Sequence, residues 1–454
     1  MATVTSRAGE AERTEWGIDP VPPHLRTFGG FDLAALWGNL GISLLLPIVA
    51  AFLVPGLSFW QAIGAIVVGV VIGNTMLAYA GRIGASTGAP AMVLYRPSLG
   101  RRGSYLPTVL NVAQNIGWGA FELLVIGTAA AAISERTLGF GARWVWTLGF
   151  GAIVTLMAVG GPILVVRRWI GRYAVWLVIA SSIYLLVYVL TSVPLETFTS
   201  VPGQGMPFWA GVDLVVAMPI SWIPLAADYT RFAKTRRAGT LGTGIGYAIA
   251  HAWFYLLGVL LILSNIAKDP ADPTGFVVAV LAVPAGLLAL GILAVDESDE
   301  AFANIYSASV SVQNAFPRWS QRRLSIAIGA ICTLLAISIP LVQYENFLLL
   351  IGAVFVPLFG VLAAHYAVVR RGYGTEDLYG GGPRVRPWRP WGIVAWAAGF
   401  LAYNWINPGT VSWWASAMDT VLGGAPTAPD WLGASLFSFA LAFAIQATEA
   451  FRKR

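Results

Sequence analysis

Two stretches of this chain carry side chains that an apolar setting ordinarily excludes. One reads Val295-Asp-Glu-Ser-Asp-Glu-Ala-Phe-Ala-Asn304, which puts Asp296, Glu297, Asp299 and Glu300 inside five residues. On a helix, Asp296, Glu300 and Asn304 form one i, i+4, i+8 stripe, while Glu297 and Asp299 point elsewhere. The other reads Asn111-Val-Ala-Gln-Asn-Ile-Gly-Trp-Gly-Ala-Phe-Glu122. There Asn111, Asn115, Trp118 and Glu122 recur at i, i+4, i+7 and i+11, and Gln114 flanks the stripe they share. An intramembrane carboxylate costs at least ~2.5 kcal/mol on insertion scales, so it seldom faces lipid and reads by default as a substrate, ion or proton site. For Glu122 the alternative is a structural hydrogen bond to a neighbouring helix. For the four acids it is a helix that ends near Asp296 and leaves them as a solvated cap, because the apolar run from Phe276 is already of membrane length. A single long helix through 296–304 also fits, and it delivers the next basic loop, at Arg318, to the required side. Part of the cluster then lines a watery vestibule. Ser298 and Asp299 offer the oxygen donors that hard cations prefer.

These side chains are positioned by membrane helices. Hydrophobic residues make up 57% of the 454 positions and charged residues 11%, against roughly 25% charged in a soluble domain. Apolar runs long enough to cross ~30 Å of hydrocarbon recur throughout. They mark twelve spans, near 32–54, 59–80, 108–132, 142–163, 173–194, 207–230, 242–265, 276–311, 324–343, 346–368, 391–407 and 431–449. The net charge of +6 is a topology signal, since 25 of the 28 basic residues fall on the side that holds both termini. Cytoplasmic loops collect Lys and Arg. The expected protein is therefore a multi-pass protein of the plasma (inner) membrane with cytoplasmic N- and C-termini, in contact with the bilayer and not with nucleic acid. The polar tail with Arg7, Glu10, Glu12, Arg13 and Glu15 lacks the order of a cleaved signal. Cys332, alone in an apolar stretch, reads as a small core residue. His24, His251 and His365 have no metal-ligand spacing.

Two spans read as broken. The first has Gly38, Asn39, Gly41 and Ser43 before Pro47; the sixth has Pro219 and Pro224 around Ser221 and Trp222. Interior proline removes a helix hydrogen bond, and in a bilayer the freed carbonyls must meet protein or a water-filled cavity. Interrupted spans at corresponding positions of two halves point to a transporter's binding site. At the end of the sixth span, Asp228 and Arg231 stand at i, i+3 and read as a helix-end ion pair.

The chain resembles the nucleobase:cation symporter-1 family, the purine–cytosine and hydantoin permease-like transporters, from Phe31 to the last helix. The resemblance is carried by Gln114-Asn-Ile-Gly-Trp-Gly-Ala-Phe-Glu122 and by Ser221-Trp-Ile-Pro-Leu-Ala-Ala-Asp-Tyr-Thr-Arg231. It is supported by Asn304-Ile-Tyr-Ser-Ala308, Val356-Pro-Leu-Phe-Gly-Val361 and the loop from Gly84 to Gly103. It implies an all-α integral membrane fold of the leucine-transporter type with a five-plus-five inverted repeat. The divisions are then a cytoplasmic tail at 1–31, repeats at 32–200 and 201–368, and at 369–454 a loop with two extra C-terminal helices. It also implies alternating-access symport of a planar nitrogen heterocycle sandwiched between Trp118 and Trp222, in a monomer without a cofactor. The polar edge of the ring meets Glu122, where the family usually has glutamine, together with Asn304, Ser221 and the neighbouring Asn115 and Gln114. The family's sodium site maps onto the carbonyls of Asn39, Ile42 and Val295 and the Ser298 hydroxyl. Its second hydroxyl position is Asp299, which leaves both Na⁺ and H⁺ as coupling ions.

Other classes fit the residues less well. An amino-acid carboxylate would be repelled by Glu122, whereas an amine would not. An enzyme needs a convergent nucleophile, base or metal set that the sequence lacks, and a channel needs a filter motif.

Overall fold

A backbone inside hydrocarbon must satisfy its own hydrogen bonds, so spanning segments are helices or closed barrels. The computed structural model describes residues 17–160, 175–264, 275–340, 344–380, 385–409, 411–423 and 425–452. Among them it is helical, with one isolated bridge between Phe28 and Ala233. Arg7, Arg13, Arg167, Arg168, Arg172, Lys268, Arg384, Lys453 and Arg454, all used in the charge count, lie outside the described residues, as does the tail's Glu10, Glu12 and Glu15. The main elements are α1 (Gly30–Asn39), α2 (Leu45–Leu53), α3 (Phe59–Thr87), α4 (Tyr105–Leu138), α5 (Arg143–Gly160), α6 (Val175–Ser192) and α7 (Phe208–Thr230). They continue with α8 (Thr243–Leu263), α9 (Gly286–Ala315), α10 (Gln321–Ser338), α11 (Tyr344–Ala364), α12 (Pro390–Ile406) and α13 (Ala434–Ala447). Eight helices among the described residues are long and apolar enough to cross a membrane. The other expected spans are shorter or interrupted.

Three sequence expectations change. The first span is broken as expected, into α1 and α2 across Leu40–Leu44. The sixth is a continuous helix, with Pro219 and Pro224 inside α7. Side chains receive the carbonyls around those prolines. Tyr255 Oη donates to Leu214 O (3.2 Å), Ser221 Oγ to Met218 O (2.6 Å), Gln114 Nε2 to Ser221 O (3.1 Å) and Asn111 Nδ2 to Pro224 O (3.5 Å). The eighth span is the reverse case. A short helix, Gly275–Ala282, precedes α9, and Pro284 with a left-handed Ala285 (φ 55°) separates them. Proline cannot supply the amide that would continue the helix. α9 then runs unbroken through 296–304, so the acids are not a helix cap. At the end of α7, the guanidinium of Arg231 bonds the Asp228 backbone carbonyl (Nε···O 3.2 Å), Gly17 O and Tyr306 Oη. The Asp228 carboxylate accepts the Ala91 amide (2.9 Å) instead of forming the expected ion pair.

Two helix pairs position the site. α3 lies along α7 through small residues: a Cβ on Gly69 would stand 2.6 Å from Val215 Cβ, and one on Gly84 would stand 2.7 Å from Ala227 Cα. Such stripes let backbones approach closely where lipid gives no hydrophobic drive to association. α4 lies along α9 through polar ties: Asn111 Nδ2 to Ser311 Oγ (2.8 Å), and Asn314 Nδ2 to Ser104 Oγ (3.0 Å) and Thr108 Oγ1 (2.9 Å). In the loop after α3, buried Arg96 caps this pair by donating to Asn314 Oδ1 (2.9 Å). Burial lowers its guanidinium to about 10, so it still carries charge at neutral pH. Gly69→Leu is expected to destabilise the folded protein by about 1–3 kcal/mol through overpacking. Val71→Leu, at an outward position 62% exposed, should leave the thermal midpoint unchanged. Equal midpoints for the two variants would refute the close approach.

Candidate functional site

The five intramembrane carboxylates Glu122, Asp296, Glu297, Asp299 and Glu300 are all buried, none more than 4% exposed. Among the described residues none of them forms an ion pair. Each is met by an uncharged donor or by none, and the donors come from the broken first span and from α9 itself.

The break supplies one set. Glu297 Oε1 accepts the Ser43 hydroxyl (2.8 Å), and its Oε2 accepts the Leu44 backbone amide (2.7 Å). Leu44 immediately precedes α2, so a carboxylate sits where the helix start leaves amides unpaired and positive. Asn39, the last residue of α1, donates its amide to Asp296 Oδ1 (3.1 Å) and to Asp299 Oδ2 (2.6 Å). Asn39 therefore enters the site through its side chain, while its carbonyl already accepts the Ile42 amide (2.9 Å). Around this contact, Asn39 Oδ1, Asp296 Oδ2, Ser298 Oγ and Asp299 Oδ1 are buried without hydrogen-bond partners. These are oxygen donors of the kind that hard cations and protons take, although among the described residues no three acidic or histidine side chains gather as a metal site. The Ile42 side chain is buried, whereas that of Val295 is 42% exposed and turns away; only its backbone is available here.

The second set lies across α4 and α9. Asn304 Nδ2 donates to both Glu122 oxygens, at 2.9 and 3.1 Å, and to Glu300 O at 3.2 Å. One helical turn before Glu122, the Trp118 indole packs edge-on to Tyr344 and Phe347, with centroids at 5.6 and 5.4 Å. Trp222 on α7 packs edge-on to Trp37 of α1 at 5.9 Å, and Trp37 also contacts Tyr229 and Tyr247. The two proposed sandwich rings thus belong to separate aromatic clusters. Trp118 Nε1, both polar atoms of the Asn115 side chain and Gln114 Oε1 are buried and unpartnered.

The structure brings Glu122 and Asn304 into contact and joins Asn39 to Asp299. Gln114 ties α4 to the Ser221 carbonyl, and the Ser221 hydroxyl is turned back onto its own helix. Trp37, Ser43 and Glu297 were missed as partners by sequence reasoning. The available signal was the break itself, since a new helix start within a membrane needs an anion or a polar side chain nearby.

A family model described as "Permease for cytosine/purines, uracil, thiamine, allantoin" matches residues 20–423. The hydantoin permease of Microbacterium maritypicum is 25% identical over 405 residues, covering 84% of this chain and 82% of that protein. The cytosine permease of Escherichia coli K12 is 27% identical over 380 residues, covering 82% and 83%. Among solved structures, Mhp1, a nucleobase-cation-symport-1 family transporter in a closed conformation with bromovinylhydantoin bound, superposes with a TM-score of 0.76 at 21% identity. That match covers 97% of this chain and 95% of that one, and a likeness at this identity establishes the fold. This multi-pass membrane chain, a permease and not an enzyme, belongs to the family of permeases for cytosine/purines, uracil, thiamine and allantoin.

Proposed function

We propose that the protein imports a planar nitrogen heterocycle, a nucleobase or a related pyrimidine or hydantoin, by cation symport with alternating access. The observation that carries this reading is the Asn304–Glu122 contact one turn from Trp118. It presents an amide donor and a carboxylate acceptor side by side, next to an indole that can stack on a flat ring. The relatives named for hydantoin and cytosine transport support the substrate class. Trp118 and Trp222 hold the two faces of the ring, Glu122 and Asn304 read its edge, and Asn115, Gln114 and Ser221 complete the polar wall. The coupling ion, Na⁺ or H⁺, sits among Asn39, Ser298 and Asp299 with the carbonyls of Ile42 and Val295. The four unpartnered buried oxygens there support that placement. The protein acts as a monomer in the plasma membrane with both termini cytoplasmic, as the distribution of basic residues supports. Its halves at 32–200 and 201–368 are the two inverted repeats, followed by the extra helices of 369–454.

The test is thermal stabilisation of the purified protein against bases, aminopyrimidines, hydantoins, amines and amino acids, with and without Na⁺. A ligand at 100 times its dissociation constant adds ~2.7 kcal/mol. A heterocycle should stabilise; a response to amines or amino acids alone would overturn the substrate class. Trp118→Ala should weaken binding of the stabilising heterocycle roughly five- to 150-fold, the ~1–3 kcal/mol of one stacked base. Glu122→Gln should also impair it while the protein stays folded, and normal binding by both variants would sink the site. Asp299→Asn is expected to change ion dependence more than substrate affinity. Transport measured against a series of Na⁺ and proton gradients reads this, and an unaltered profile rules Asp299 out of coupling.

A further inference from the structure

Away from the site, a cavity of about 1270 Å³ opens between α3, α8, α11 and α13. Its floor is apolar, and several of its walls are outward-facing, with Val71 62%, Ile245 53% and Ile249 68% exposed. Its polar end holds Arg82, Arg236 and Arg371, each from a different helix end and each exposed. No Asp or Glu lines the cavity, and among the described residues these three guanidinium groups make no hydrogen bond or ion pair.

The dimensions are informative. On α3 the lining runs from Val70 to Arg82, before and along α8 from Arg236 to Ile249, and on and after α11 from Phe359 to Arg371. At 1.5 Å per residue each stretch spans about 18–20 Å. One leaflet of hydrocarbon is ~15 Å deep, half of the ~30 Å core. All three stretches end in arginine at the same face, the basic one that collects Lys and Arg as cytoplasmic loops do. The groove therefore has the length of an acyl chain, with a headgroup-level cluster of positive charge at the mouth.

We propose that this cavity binds an anionic glycerophospholipid of the cytoplasmic leaflet, with its phosphate among Arg82, Arg236 and Arg371 and an acyl chain along the groove. Arginine matches phosphate geometry with paired donors. A zwitterionic headgroup would bring a cation into a mouth that offers it no acid. The lipid would link α3 and α8 to α11 and α13 across a gap that protein side chains leave open.

Delipidated full-length protein is titrated with phosphatidylglycerol, phosphatidylcholine or inorganic phosphate. Binding is read as retained adducts in native mass spectrometry and as a shift in thermal midpoint. Phosphatidylglycerol is expected to be retained and to stabilise, and phosphatidylcholine and phosphate are not. Neutralising juxtamembrane charge costs about fivefold in affinity per arginine, so R82Q/R236Q/R371Q should bind phosphatidylglycerol on the order of a hundredfold more weakly. The control R101Q/R102Q, which removes exposed charge of the same sign outside the cavity, should bind normally. Ile249→Trp, which narrows the groove and keeps all three arginines, should also lower retention. Equal retention of both lipids, a phosphate shift as large as the lipid shift, or undiminished binding by both R82Q/R236Q/R371Q and Ile249→Trp would overturn the proposal.

Discussion

Carboxyl groups buried without a cationic partner are the constraint on which the rest of this structure depends. Each would cost several kcal/mol to hold ionised in a low-dielectric interior without a partner, so each needs a hydrogen-bond donor, a cation or a proton. Five lie within membrane helices here. Other buried acids of this chain are met by helix and loop amides. Asp213 accepts the amides of Ala434 and Ser435 at the start of α13, at 2.7 and 2.9 Å. Asp228 takes the Ala91 amide. Of the five, only Glu297 is treated in that way, and it dictates the architecture of the first span. Had 30–53 been one helix, the Leu44 amide would be spent on its own backbone. The break at Leu40–Leu44 frees that amide and Ser43 for Glu297 and turns Asn39 toward Asp296 and Asp299. The irregular backbone is tolerated in the membrane because buried protein groups receive it.

The remaining acids sit on a seam. α3 and α7 pack through glycine, a dry and close contact, and α8 packs with α1 and α3. α4 and α9 are held by a ladder of amides and hydroxyls that continues to Arg96 at their common end. Trp222 and Trp37 belong to the first body, and Trp118, Glu122 and Asn304 to the second. The contacts Asn39–Asp296, Asn39–Asp299 and Ser43–Glu297 cross between them. On the proposed reading, a cation placed among the unpartnered oxygens supplies countercharge to α9 while drawing on the end of α1. Occupancy of the ion site and apposition of the two bodies are then coupled through the same atoms, as differential binding to two states requires.

How far the site was legible in the sequence follows from what each residue costs. Glu122, Asn304 and the acids of α9 stand out because a polar side chain in an apolar span is expensive wherever it points, so composition alone exposes it. The broken first span was legible from Gly38, Gly41 and Pro47 because glycine and proline interrupt a helix wherever it lies. What the sequence did not disclose is pairing. Glu297 and Ser43 are separated by 254 positions, and nothing in their local patterns links them. Trp37 looked like one apolar residue among many. Pro219 and Pro224 suggested an interruption in α7, but their effect was decided by donors on α4 and α8, which hold the neighbouring carbonyls. Asp228 and Arg231 had the spacing of an ion pair, yet the loop amide of Ala91 competed for the carboxylate.

On the proposed reading, the Glu122–Asn304 pair bears on substrate chemistry beyond a family likeness. In the structure, the Asn304 amide donates to both oxygens of Glu122 and to Glu300 O, so a ligand meets an edge that is already hydrogen-bonded. A cyclic amide edge, N–H beside C=O, meets it without loss: its N–H satisfies the carboxylate while its carbonyl accepts from the Asn304 amide. The internal bond is exchanged for two complementary ones, and no buried donor is left open. An amine supplies only the donor half. It would pair with Glu122 through a lone pair the Asn304 amide leaves free, and it would offer that amide nothing in return. Charge attraction favours the amine and hydrogen-bond satisfaction favours the heterocycle. Near an indole that can stack on a flat ring, the two-sided edge gives the heterocycle the advantage.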